Sequence, residues 1–195
     1  AGAHVLRSLK AGDVGEDPEV VKEYLLWACR AGLDLPVIRG LAEKCGKGYN
    51  VAADGAAAGG HTDVLDLLAS EFGAEIGMDC LRGAAMWGHD VAMIDHLVEE
   101  YGLDPNGVSI SGRAALLEAA SLGRVRTVKH LVEKHNVDIH EKDDEGVTAL
   151  YLAERYGWTE CADYLRALGC RLSEEDTTHL DQEREIERYI LGIHF

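Results

Sequence analysis

The 195-residue sequence predicts an all-α solenoid of about five helix-turn-helix units, on three observations. A short phrase closing on glycine returns five times, its glycines (Gly32, Gly60, Gly88, Gly123, Gly157) stepping by 28, 28, 35 and 34 residues. Small residues open the phrase, most legibly in Ala56-Ala57-Ala58-Gly59-Gly60-His61 and Ala84-Ala85-Met86-Trp87-Gly88-His89. After each glycine comes an apolar run, such as Val64-Leu65-Asp66-Leu67-Leu68 or Thr127-Val128-Lys129-His130-Leu131-Val132. A unit of roughly thirty residues recurring in this way marks a repeat architecture.

Each element has a physical reason. The alanines belong on a first helix, where small side chains let a neighbouring helix come close. The glycine stands two residues beyond that helix, where the chain turns through a left-handed conformation that glycine adopts cheaply. The apolar run supplies a second helix, with stripes such as Val64, Leu65, Leu68 and Val128, Leu131, Val132 at i, i+3, i+4 spacing. A single hairpin of this kind leaves its apolar face uncovered, so the units must stack.

These residues resemble the ankyrin repeat. Asp144-Glu145-Gly146-Val147-Thr148-Ala149-Leu150-Tyr151-Leu152-Ala153 is similar to the family's G-x-T-P-L-H-x-A-A opening, with Ala149 in the proline position and Tyr151 in the histidine position. Gly112-Arg113-Ala114-Ala115-Leu116-Leu117-Glu118-Ala119-Ala120 is a looser copy. Gly60-His61 and Gly88-His89 keep the family's turn, whereas Arg124 and Trp158 replace that histidine later. The resemblance covers about residues 20 to 172, in units near 20–47, 48–76, 77–109, 110–143 and 144–172. It implies a stack over residues 1–172, in which 1–19 is either part of an earlier repeat or an N-terminal cap. It also implies a β-hairpin finger between helix pairs. The two steps of 28 residues are too short for one, so simple loops are expected in the N-terminal half. Leu103–Gly112 and Val137–Gly146 have room, and their Asp, Asn, Pro and Gly residues suit hairpin tips.

Residues 173–195 read as a helical cap. Ser173-Glu174-Glu175-Asp176 resembles an N-cap with acids in the first turn. Ile186, Tyr189, Ile190 and Ile193 then share one face, with Glu185 and Arg188 opposite. The alternative, if the chain continues, is a linker or partner-binding amphipathic helix.

Composition narrows the function. The net charge of −16 argues against nucleic acid and anionic membrane surfaces, whose recognition relies on Lys and Arg. Asp90, Asp95, Glu99, Glu100 and Asp104 have no basic residue among them, and Glu141, Asp143, Asp144 and Glu145 crowd the last finger. This acid reads either as a solvated face or as an attraction for a basic peptide or protein. No apolar stretch approaches the roughly 20 residues of a membrane span. No basic-then-apolar leader is legible, and a start at Ala1 rather than Met reads as a piece of something longer. Cys29, Cys45, Cys80, Cys161 and Cys170 contain no C-x-x-C pair, so reduced core thiols in a cytoplasmic or nuclear, non-secreted monomer are expected.

No catalytic or metal constellation emerges, and no cofactor is implied. His61 and His89 read as structural turn residues; His96 and His130 as surface or packing residues. His130, His135 and His140 are five apart, off the i, i+4 spacing of helical zinc ligands. His179 and His194 lie in the cap without a ligand pattern. Residues 40–48 have one residue too many between glycines for a phosphate-binding loop, and Gly48 stands where Ser or Thr is required.

A binding surface remains. The resemblance implies a concave groove lined by first helices and fingers, with the two residues before each turn glycine facing it. Met86, Trp87, Ser121, Leu122, Arg155 and Tyr156 are therefore candidate partner-binding residues, with Asn106, Ser109, His140 and Asp144 on the fingers. Trp, Tyr and Arg are frequent interface hot spots. In the alternative, Trp87 and Tyr156 pack against adjacent loops. The expected function is a non-catalytic protein–protein interaction module, or a regulatory or targeting segment of a larger enzyme or effector.

Overall fold

The structure is a computed structural model that describes residues 17–87 and 91–190, without the side chains of 187–189. Among the described residues, ten helices fall in five pairs: α1 (Pro18–Ala31) with α2 (Leu35–Cys45), α3 (Tyr49–Gly59) with α4 (Thr62–Phe72), α5 (Met78–Trp87) with α6 (Ala92–Glu99), α7 (Ala115–Ser121) with α8 (Val125–His135), and α9 (Ala149–Arg155) with α10 (Thr159–Ala167). A final helix, α11 (Glu174–Ile190), follows. The fold is thus the all-α repeat class, without a strand among the described residues. The chain divides into two compact units, residues 1–115 and 116–195.

The recurring phrase is a helix ending. The N–H groups of Leu33, His61, Arg124 and Trp158 each reach back to the carbonyl of the phrase's first alanine (Ala28, Ala56, Ala119, Ala153) at 2.8–3.1 Å. The intervening glycines Gly32, Gly60, Gly123 and Gly157 hold φ between 61° and 80°. This closure satisfies the last helical carbonyls and fixes the four-residue spacing from alanine to glycine. Helices α1 and α3 run right up to their glycine; α7 and α9 stop two residues short, as the spacing predicted. The alanines Ala28, Ala56, Ala57, Ala119, Ala120 and Ala153 are buried, as are the second-helix stripes Val64, Leu65, Leu68 and Val128, Leu131. Val132 is only half-buried.

In the first unit, the first helices approach closely through glycine. A Cβ on Gly55 would stand 2.6 Å from Leu26 Cδ1, and one on Gly59 would stand 2.3 Å from the Arg30 carbonyl oxygen. Gly83 of α5 similarly lies against the Asp54 carbonyl and Ala58 of α3. Spans 46–48 and 73–77 are plain loops; the second is tied by Asn50, whose Oδ1 accepts from the Glu75 N–H at 3.0 Å.

The two later fingers are present but shorter than the expected hairpins. Each has one antiparallel bridge, Val108 with Ala114 and Lys142 with Thr148, closed by a tight turn with Gly112 or Gly146 at positive φ. Ladder growth stops because a turn (Asp104 carbonyl to Gly107 N–H, 2.9 Å) precedes the first bridge and α7 starts just after it.

In the second unit, Ser173 and Asp176 cap α11 reciprocally, with side chains accepting from each other's N–H at 3.0 and 3.1 Å. The helix meets the last repeat through buried Leu180 and polar contacts, Tyr151 Oη to His179 Nδ1 at 2.7 Å and Arg155 to Glu183 at 2.7 Å. The expected apolar face is not the docking face: Ile186 is 59% and Ile190 75% exposed. Leu180 shares a helix face with Glu183 and Arg184, three and four residues on, which meet Arg155 and Glu154 of α9. The partial repeat or cap at 1–16, the Gly88-His89 turn, Asp90, Ile193, His194 and the side chains of Arg188 and Tyr189 lie outside the described residues.

Candidate partner-binding surface

In the first unit, Met86 and Trp87 end α5. Trp87 is 43% exposed, and the Arg30 guanidinium of α1 lies over its ring, 4.6 Å from the centroid. The same guanidinium is 5.9 Å from the centroid of Trp27, itself half exposed. Small residues on α3 permit this, since Ala57 is buried and Gly59 carries no side chain between the two flanking helices. Trp87 therefore stacks on a cation rather than on a loop. Met86 is half-buried, with Sδ 3.1 Å from an Arg82 N–H. Sequence reasoning missed Trp27; its signal is the i, i+3 spacing to Arg30 on the helical face.

The first finger corrects one expectation. Ser109 is only 6% exposed, its hydroxyl bonded to Ser111 Oγ (2.8 Å) and the Arg113 carbonyl (3.2 Å), so it holds the turn and does not face solvent. Ile110 and Val108 are exposed on this finger, at 94% and 51%. Asn106 is half-buried, its N–H donating to Asp104 Oδ1.

In the second unit, Ser121 and Leu122 are half-buried, and Tyr156 is exposed beside Arg155 (5.9 Å to the ring centroid). Arg155 is committed to Glu183 of α11. The Ser121 carbonyl accepts the Trp158 indole N–H at 2.8 Å. His140 and Asp144 are exposed on the second finger, where Glu145 joins them.

Several polar clusters lie away from these surfaces. Asp66 Oδ1 takes two partners at 2.7 Å, His96 Nε2 and the Tyr101 hydroxyl, beside a shallow open hollow of about 480 Å³. Burial first, then the Asp66 carboxylate, pushes the Tyr101 phenol up. The His130 and His135 rings meet at 5.4 Å despite their five-residue spacing, because His135 ends α8 where the chain turns at left-handed Asn136. All five cysteines are buried and unpaired. Burial pushes the Cys29 thiol up to about 12 and Cys161 up to about 11, the opposite of an activated nucleophile. Asp54 is also raised, chiefly by burial, while it accepts from Cys80 Sγ at 3.1 Å.

Comparison with known proteins fits this architecture. A family model described as "Ankyrin repeats (3 copies)" matches residues 81–176. Over those residues the chain matches ankyrin repeats. Among curated proteins, it is 36% identical over 104 residues to human "Protein phosphatase 1 regulatory subunit 27", and 38% over 92 residues to the mouse protein of that name. Those matches take in 48% and 42% of this chain, and it spans 65% and 59% of the relatives' lengths. It is also 29% identical over 97 residues to "Alpha-latrocrustotoxin-Lt1a" of Latrodectus tredecimguttatus, 50% of this chain but 7% of the toxin. No described helix is long and apolar enough to cross a membrane.

Proposed function

We propose that this ankyrin-repeat chain is a non-catalytic protein-interaction module whose first-helix ends and fingers engage a protein or peptide partner. Ankyrin repeats are protein-interaction modules. The observation that carries the finer reading is Trp87, left 43% exposed at a helix end and held in place by Arg30. An exposed indole that is already ordered loses little entropy on binding, which favours it as a hot spot. Exposed Tyr156 plays the same part in the second unit, and the acids around His140 and Asp144 would draw Lys or Arg from the partner there. Asn106, Met86, Ser121, Leu122 and Arg155 frame these anchors, while Ser109 supports the finger from within. The buried, unpaired thiols support a reducing compartment, cytoplasm or nucleus; we read the chain as a monomer.

Trp87→Ala and Tyr156→Ala should each weaken partner binding by more than ~1 kcal/mol with helicity unchanged. Unaltered partner affinity in both variants would rule this surface out. A regulatory role is the second reading, favoured by the likeness to phosphatase regulatory subunits. It requires that the purified chain change the activity of a protein phosphatase catalytic subunit, measured on a phosphopeptide.

A further inference from the structure

The partner chemistry at Trp87 is opposite to what the net charge suggests. Arg30 lies between two indoles, 4.6 Å from the Trp87 centroid and 5.9 Å from that of Trp27, and neither ring offers its N–H groups an in-plane acceptor. Among the described residues, no carboxylate pairs with Arg30. By contrast Arg39, Arg155 and Arg184 each meet a glutamate at 2.6–3.3 Å. The chain has 35 acidic and 19 basic residues, yet this arginine lies over tryptophan instead of pairing with a carboxylate. Stacking holds a guanidinium by its face and leaves its fork of donors at the edge, the geometry that receives a carboxylate through two parallel bonds.

The close approach of α1, α3 and α5 is what brings these residues together. Gly55 and Gly59 seat α3 on α1, Gly83 seats α5 on α3, and Arg30 thus spans from the first repeat to the third. Exposed apolar area flanks the cation on both sides, since Trp27 and Trp87 are 49% and 43% exposed.

We infer that the Trp27–Arg30–Trp87 ladder receives a glutamate or aspartate of an extended partner segment, with a neighbouring apolar side chain laid on an indole. This deepens the function proposed above and rests on its reading that Trp87 contacts the partner. A singly charged carboxylate suits the site better than a phosphoryl group, because a net charge of −16 repels a dianion more strongly than a monoanion.

The test selects a random linear peptide library displayed on phage against the full chain, then measures synthetic peptides by fluorescence anisotropy. The selected pool should be enriched in Glu or Asp beside an apolar residue. Replacing that Glu by Gln in the peptide should weaken binding roughly tenfold, and Arg30→Gln should abolish the difference. The peptide substitution leaves the protein untouched, so it holds even if a variant misfolds. A pool without acidic enrichment, or discrimination that survives in Arg30→Gln, overturns the inference. So does a phosphoserine peptide that binds more tightly than its glutamate counterpart. Peptides that lose binding in Trp87→Ala yet ignore charge sink this inference alone. Peptides indifferent to Trp87→Ala, or no selected peptide at all, sink the proposed binding surface with it.

Discussion

The His61 imidazole lies against Gly32, so that a Cβ on that glycine would stand 2.2 Å from His61 Cε1. Trp158 covers Gly123 in the same way, with Cδ2 at 2.4 Å. In both, the residue after one turn glycine seats on the preceding turn glycine. The glycine therefore serves twice, by adopting positive φ and by leaving room for the next repeat's ring.

Gly32→Ala should cost about 2–4 kcal/mol in urea unfolding, combining left-handed strain of ~1–2 kcal/mol with displacement of the ring. His61→Ala empties that space. The double variant should then be less destabilised than the sum of the single variants by ~1 kcal/mol or more. Strict additivity would show that the ring and the added methyl do not compete.

Gly157 separates the two effects within the second unit. Its φ is +72°, yet nothing lies within 4 Å of a Cβ there, whereas Gly123 at +62° has Trp158 on top. Gly157→Ala should lose only ~1 kcal/mol, and Gly123→Ala at least ~1 kcal/mol more. Equal losses would mean that Trp158 moves aside at no cost, despite its bond to the Ser121 carbonyl.

Glu154 ties the last repeat to α11. Its side chain is 12% exposed and pairs with Arg166 of α10 and Arg184 of α11. Both arginines are half exposed, so the loss in Glu154→Gln is discounted from that of a fully buried pair, to about 2 kcal/mol. Limited proteolysis with mass spectrometry should show faster cleavage in 174–190. An unchanged cleavage rate would leave Leu180 as the sufficient anchor.

Asp66 makes a comparable cluster in the first unit. Asp66→Ala removes the acceptor of both His96 and Tyr101 and should cost about 1–2 kcal/mol. Tyr101→Phe, which removes one donor, should cost less. A larger loss in Tyr101→Phe than in Asp66→Ala would place the cluster's stability elsewhere.

The repeat was legible because it rests on local backbone chemistry: each turn needs a glycine four residues after a buried alanine. The finger positions followed from the uneven glycine steps. What escaped the sequence were pairings between repeats. Trp27 gave no sign that Arg30 would reach Trp87, because that contact depends on how closely α3 lets its neighbours approach. Asp66 lies 30 residues from His96 and 35 from Tyr101, and only stacking joins them. Ser109 and Ser111 look alike as polar finger residues, but only tertiary burial turns Ser109 inward. The apolar face of α11 was read from helical periodicity, which finds a stripe but not which turns reach a neighbour.

The buried thiols give the chain a defined alkaline limit. Cys29 is pushed from the ordinary 9.0 up to about 12 and Cys161 up to about 11, in both cases chiefly by burial. Above pH about 9 the unfolded chain releases protons that the folded chain keeps, so stability must fall as pH rises through that window. Below it neither state ionises and these thiols add no pH dependence. Each contributes a slope of about 1.4 kcal/mol per pH unit while its window lasts. Urea midpoints measured from pH ~8 to ~10.5 should decline, and the Cys29→Ala, Cys161→Ala double variant should decline less steeply. A thiol-specific disulfide reagent at pH ~8 should label both residues only at the unfolding rate, since a protonated, enclosed sulfur is neither nucleophilic nor reachable. Labelling at the speed of an exposed cysteine would show that α1 and α10 open locally around them.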